Sequence, residues 1–122
     1  MPDNVHILVV DDEEQLRSIL SAELSRAGYN VATAADGDEA IASLQNKTFD
    51  LVLLDIRMPK VNGFEVLKFA KQNMPTVKVI MLTAFADLKH AVESKKLGAT
   101  DFITKPYDIE ELLATIERAL SG

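Results

Sequence analysis

The 122-residue sequence predicts an α/β domain, a doubly wound five-stranded parallel sheet with five helices. Two observations carry that expectation. Apolar runs rich in Val, Ile and Leu recur along the chain, and segments of helical spacing separate them. Three of the runs, VHILVV, LVLL and VKVIML, are nearly continuous rather than alternating, as in strands covered on both faces of a parallel sheet.

The elements follow in order. Val5 to Val10 reads as the first strand, and Leu16, Ile19, Leu20 and Leu24 mark the apolar stripe of the first helix, which should stop at Gly28. Asn30 to Ala34 is the second strand. Asp36 is placed to cap the second helix, whose stripe is Ala40, Ile41 and Leu44. Asp50 to Leu54 and Val77 to Leu82 are the third and fourth strands. Asp87 can open the fourth helix and Gly98 close it, with a thin stripe of Leu88, Ala91 and Val92 between them. Thr100 to Thr104 is the fifth strand; Asp108 then starts a helix carrying Ile109, Leu112, Leu113, Ile116 and Leu120 at i, i+3, i+4 and i+7. Strict alternation of strand and helix gives right-handed crossovers, so ligands are expected at the carboxyl ends of the strands.

Composition narrows the class. A chain this long can bury roughly two-thirds of its unfolded surface, and 48% hydrophobic with 26% charged residues is ordinary for one globular domain, taken as 1–122. With no Cys there is no disulfide framework, thiolate metal site or thiol nucleophile, and cytoplasmic residence is expected. The opening MPDNVHILVVDDEE has no basic leader, and its apolar run is too short for a membrane span. Nineteen acids against 13 Lys and Arg give a net charge of −6, which argues against nucleic acid and anionic membrane as partners. An anionic substrate would need a local cationic device.

That device lies at the strand ends. Asp11 and Asp12 follow the first strand, Asp55 the third, Thr83 the fourth and Lys105 the fifth. Singly, each has an ordinary role as a helix cap, turn former or surface charge. Capping chemistry does not require them to converge. Two carboxylates about 4 Å apart repel by roughly 4 kcal/mol at an effective dielectric near 20, so three together call for a cation. Oxygen ligands without His or Cys suit Mg²⁺, with Mn²⁺ as a substitute. Three carboxylates, Mg²⁺ and Lys105 sum to zero formal charge, which would let a phosphoryl group approach. A carboxylate can then act as the in-line nucleophile, with the Thr83 hydroxyl and Lys105 ammonium as donors to phosphoryl oxygens.

The strings VVDDE, LLDIRMPKVNGFE, IMLTA and DFITKPYD, in this order and spacing, resemble the receiver domains of two-component and phosphorelay response regulators across essentially the whole chain. The resemblance implies a flavodoxin-like sheet of order 2-1-3-4-5, with Asp55 as phosphoacceptor for a phosphohistidine of a sensor histidine kinase or phosphotransfer protein. It implies direct Mg²⁺ ligation by Asp12, Asp55 and the Arg57 carbonyl, and by Asp11 through water. Thr83 and Lys105 would contact the phosphoryl group, Phe102 would turn inward as Thr83 moves, and Lys105–Pro106 would be cis. Met58-Pro59 and Gly63 fit the loop after the acceptor, with Gly63 permitting positive φ. Phe102 lacks the hydroxyl of a Tyr, so no switch hydrogen bond is available there. Arg57 and Phe85, each two residues past an active position, are expected to shield the acyl phosphate and slow autodephosphorylation.

Other features carry less. His6 and His90 have no partner of metal-binding spacing, Lys89, Lys95 and Lys96 read as a solvated helix face, and Glu13 and Glu14 as the acidic start of the first helix. By resemblance, the fourth helix with the fifth strand and helix forms the surface that changes on phosphorylation. The expected function is a switch acting on an effector protein or output domain, not a turnover enzyme. A start at Met1 and an end after the fifth helix favour a stand-alone receiver; the alternative is the receiver of a larger transcription regulator, because VKVIMLTAFADLKHAVESKKLGATDFITKPYD is similar to receivers attached to AAA+ activators. A hydrolase working through an aspartyl-phosphate should have an acid two residues after the nucleophile, where Arg57 stands, and a flavin or nucleotide module should have a Gly, Ser or Thr-rich loop where Asp11 to Glu14 stand.

Overall fold

A computed structural model describes residues 4–56, 63–84 and 88–121. Five parallel strands, β1 (His6–Val10), β2 (Asn30–Ala34), β3 (Leu51–Asp55), β4 (Lys78–Ala84) and β5 (Asp101–Lys105), form one sheet of order β2-β1-β3-β4-β5. They alternate with α1 (Glu14–Arg26), α2 (Gly37–Asn46), α3 (Gly63–Asn73), α4 (Leu88–Lys96) and α5 (Ile109–Ser121). The doubly wound architecture is as the hydrophobic pattern requires.

The continuous apolar runs divide by strand periodicity between two cores. Ile7, Val9, Leu51, Leu53, Ile80 and Leu82 face one layer with Leu20 and Leu24 of α1 and Leu112 and Ile116 of α5. Leu8, Val10, Val52, Leu54, Val79 and Met81 face the other with Ala40 and Leu44 of α2 and Val66, Leu67 and Ala70 of α3. Both faces of the central strands are therefore dry, which explains why β1, β3 and β4 show no polar alternation.

Helix ends follow local chemistry. The Asp36 carboxylate accepts the Glu39 N–H at 2.8 Å and the Glu39 carboxylate accepts the Ala35 N–H at 3.0 Å, a reciprocal cap on α2. Asp108 accepts the Glu111 N–H at 2.8 Å at the start of α5. Gly28 (φ 100°) and Gly98 (φ 107°) take the left-handed conformation that terminates α1 and α4. Glu14 opens α1 as expected, and Glu13 stands at its N-cap without a side-chain capping bond. Asp87 lies outside the described residues.

Two expectations change. Ile19 belongs to the helical stripe of α1 but is 58% exposed, because the stripe is wider than the surface that the sheet covers. On α4, Val92 is likewise exposed, while the polar Ser94 is buried. The Leu88 and Ala91 side chains are outside the described set.

Candidate functional site

Strand register brings the polar positions to one edge of the sheet. In the ladder, Val10 pairs with Leu54, Asp55 with Leu82, Thr83 with Thr104 and Ala84 with Lys105. Asp55 and Lys105 are therefore the closing residues of β3 and β5, and Thr83 the last but one of β4, rather than residues beyond them, and each of these three strands begins one residue later than its apolar run suggests. Backbone hydrogen bonds continue past the apolar run, and periodicity alone does not mark where they stop.

Asp11 and Asp12 follow β1. Asp11 is fully buried, and its backbone N–H donates to the Ala34 carbonyl at 3.2 Å, which ties the turn to β2. Its Oδ1 accepts the Glu13 N–H at 2.9 Å, and its Oδ2 lies 3.4 Å from Lys105 Nζ. Asp12 is exposed, Asp55 is 8% exposed and Thr83 is buried. One carboxylate oxygen from each of Asp11, Asp12 and Asp55 lies within 4.8 Å of the others. That separation is too short for three uncompensated charges and suits ligands of a shared cation. With only oxygen donors in the set, the chemistry fits a hard divalent ion. His6 takes no part: it starts β1 at the opposite end of the sheet, where its N–H donates to Asp50 Oδ2 at 2.8 Å.

The Lys105–Pro106 peptide bond is cis. Phe102, paired with Met81, is already half-buried against the α2–α3 core. Arg57, Met58, Pro59 and Phe85 lie outside the described residues. Gly63 needs a correction. It does not take a positive φ; it is required because a Cβ there would stand 2.5 Å from the Asp55 carbonyl oxygen and 2.9 Å from the Ile56 Cα. Its N–H donates to the Ile56 carbonyl at 3.1 Å, so α3 starts directly against the acceptor segment.

Three contributors had no clear sequence signal. Arg17, one turn into α1, donates from Nη1 to the Asp11 carbonyl at 2.7 Å, adding positive charge beside the pocket. Tyr107 puts its hydroxyl in the field of Asp11 and Asp55. Burial first, then those two carboxylates, push its pKa up to about 12. Phe64 at the start of α3 meets His90 of α4 edge to face, with centroids 5.8 Å apart.

Known proteins resemble this chain in sequence and fold. The chain matches the response regulator receiver domain family over residues 7–117. The transcriptional regulatory protein ZraR of Escherichia coli K12 is 44% identical over 119 residues, which make up 98% of this chain and 27% of that protein. The DNA-binding transcriptional regulator NtrC of Salmonella typhimurium is 44% identical over 115 residues, 94% of this chain and 24% of its own. The chain thus spans about a quarter of the length of these curated relatives. Among solved structures, the chemotaxis protein CheY4 of Vibrio cholerae superposes with a TM-score of 0.87 at 38% identity, covering 94% of this chain and 98% of that one. The receiver domain of NtrX from Brucella abortus gives 0.90 at 36% identity, with 94% and 98% covered. Sequence, strand order and the strand-end acids agree: this chain belongs to the response regulator receiver domain family.

Proposed function

We propose that this receiver accepts a phosphoryl group on Asp55 from a phosphohistidine and relays the event as a conformational switch. The carrying observation is the convergence of Asp11, Asp12 and Asp55 carboxylate oxygens within 4.8 Å, with Lys105 at 3.4 Å from Asp11. An Asp55 oxygen attacks phosphorus as the P–N bond to the donor imidazole breaks; the O–P bond forms, and the freed imidazole takes a proton from solvent. Asp12, Asp55 and the Arg57 carbonyl, with Asp11 through water, would hold Mg²⁺, which when bound supplies charge neutralisation at the phosphoryl oxygens. Lys105 and the Thr83 hydroxyl are the donors from this chain to those oxygens.

In this reading the phosphodonor docks beside Lys105. A groove of about 470 Å³ opens there, lined by Leu16, Ile19, Leu20, Glu23, Lys105, Pro106, Tyr107 and Ile109. A largely apolar helix face of the histidine kinase or phosphotransfer protein is its occupant: the groove is mostly apolar, with Glu23 and Lys105 as its charged lining, and carries the exposed Ile19. On the output side, ZraR and NtrC are transcriptional regulators, and this supports the receiver of a larger regulator over the stand-alone setting. Direct nucleic-acid binding by this domain is disfavoured by its net charge of −6. Among the described residues no helix is long and apolar enough to cross a membrane, compatible with action in the cytoplasm.

A switch is distinguished from a hydrolase by turnover. With Mg²⁺ and acetyl phosphate, the protein should take up one phosphoryl group and release phosphate slowly, consistent with Arg57 standing where a hydrolase would have its acid. Sustained release of many phosphates per protein would instead establish the hydrolase reading.

A further inference from the structure

Asp11 presents a problem for any reaction in which Lys105 moves. Its carboxylate has no exposed surface. Oδ1 is occupied by the Glu13 N–H, and Oδ2 has Lys105 Nζ at 3.4 Å. The nearby Arg17 guanidinium is committed to the Asp11 main-chain carbonyl rather than to the carboxylate. If Lys105 turns to a phosphoryl oxygen, Oδ2 gives up that donor while facing the cluster that would hold the metal and its water. An ionised carboxylate has about four acceptor sites, so the one that Lys105 vacates is open to another donor, and filling it is favourable for a buried charge.

One is at hand. Among the described residues, the Tyr107 hydroxyl is the buried side-chain polar atom with no hydrogen-bond partner. Buried hydroxyls are normally satisfied, so an orphan calls for an account, and a partner met in a second state is one. The hydroxyl lies in the field of Asp11 and Asp55, which together with burial keeps it protonated and hence a donor at neutral pH. Its ring is held by the apolar groove between α1 and the β5–α5 turn, two residues after Lys105.

We propose that Tyr107 is a positioning residue for phosphoryl transfer: its hydroxyl becomes the hydrogen-bond donor to Asp11 when Lys105 leaves Asp11 for the phosphoryl group on Asp55. The proposal rests on Asp55 being the acceptor. It assigns Tyr107 no contact with the reacting atoms; it keeps the Asp11 carboxylate oriented while Lys105 is engaged elsewhere.

The test uses beryllofluoride with Mg²⁺ as the phosphoryl mimic. The chain has two tyrosines, Tyr29 and Tyr107, and Tyr29 sits just before β2, at the end of the sheet away from the site. In protein labelled with ¹³C at tyrosine Cζ, the Tyr107 resonance should move on mimic binding while that of Tyr29 stays. Tyr107→Phe should keep or raise the urea midpoint of the metal-free protein, since it removes an unpaired hydroxyl, yet weaken beryllofluoride binding by about tenfold, as loss of an outer-shell donor does. Unchanged affinity in Tyr107→Phe together with an unmoved Tyr107 resonance would overturn the assignment and leave the Asp55 reading standing. A wild-type protein that takes up no beryllofluoride overturns both.

Discussion

Lys105 Nζ stands 3.4 Å from Oδ2 of Asp11, a carboxylate with no exposed surface, while the lysine keeps 26% of its own side chain in solvent. The pair is half a buried salt bridge and half a surface one. Replacing Lys105 by Met, which retains the stem, leaves Asp11 without its cation. After discounting for solvent screening, a loss of about 1 kcal/mol in the metal-free protein is expected by urea unfolding. Mg²⁺ should restore stability through its own binding, but not the rate of phosphorylation by acetyl phosphate, because the ammonium no longer reaches the phosphoryl oxygens. Recovery of both by metal would show that Lys105 is only a structural counter-charge.

Gly63 sets the distance between α3 and the acceptor. The Cβ of a Gly63→Ala variant would lie 2.5 Å from the Asp55 carbonyl oxygen, a main-chain atom that cannot swing aside. Overpacking of this kind costs about 1–3 kcal/mol, and the backbone of Asp55 should shift with it. Thermal unfolding and the phosphorylation rate should therefore fall together. An unperturbed variant would mean that the start of α3 is looser than its contact with Ile56 indicates.

Ile19 offers a separation of docking from chemistry. Being 58% exposed, it can be changed to Glu with little effect on folding, within about 0.5 kcal/mol. Phosphorylation by acetyl phosphate, which needs no groove, should be unaffected. Transfer from a phosphorylated histidine kinase or phosphotransfer protein should drop by tenfold or more, since the variant removes an apolar contact and adds a second carboxylate to a groove that already holds Glu23. Equal losses with both donors would place the effect in the pocket and not in recognition.

Much of this was legible in the sequence, for identifiable reasons. The continuous runs around Leu8, Leu53 and Ile80 announce strands buried on both sides, and the capping acids Asp36 and Asp108 announce helix starts, because both signals are local. The convergence of Asp11, Asp12 and Asp55 was legible from strand ends, because a parallel sheet delivers its carboxyl ends to one edge. Contacts between distant segments were not. Arg17 reads as an ordinary first-turn residue of α1, and only the packing of that turn on the β1 end brings it to the Asp11 carbonyl. Gly63 looked like a residue chosen for φ when it was chosen for space. Ile19 matched the stripe of α1, but the curvature of a cylinder on a sheet decides which edge of a stripe is covered.

Alkaline titration provides a check on the setting of Tyr107. Its pKa rises from 10.0 to about 12 on folding, burial being the larger cause and the Asp11 and Asp55 charges the smaller. Between these values the unfolded chain has lost a proton that the folded protein keeps. Stability is therefore whole below pH 10 and declines as pH rises toward 12, by at most about 1.4 kcal/mol per pH unit from this group. Tyr29, raised by burial and then by Glu117, contributes in the same sense. Urea midpoints at pH 9 and pH 11 should thus fall less in Tyr107→Phe than in the wild type. Identical declines would indicate that the hydroxyl ionises freely in the folded state.

The most direct measurement is the intact mass of wild-type protein and Asp55→Asn after incubation with acetyl phosphate and Mg²⁺, with a parallel sample in chelator. One phosphoryl group on the wild type, mapped to Asp55 and absent both from Asp55→Asn and without metal, is the result expected of a carboxylate that accepts phosphate only within the metal-holding cluster of Asp11, Asp12 and Asp55. Equal labelling of the Asn variant, or labelling indifferent to chelation, would contradict it.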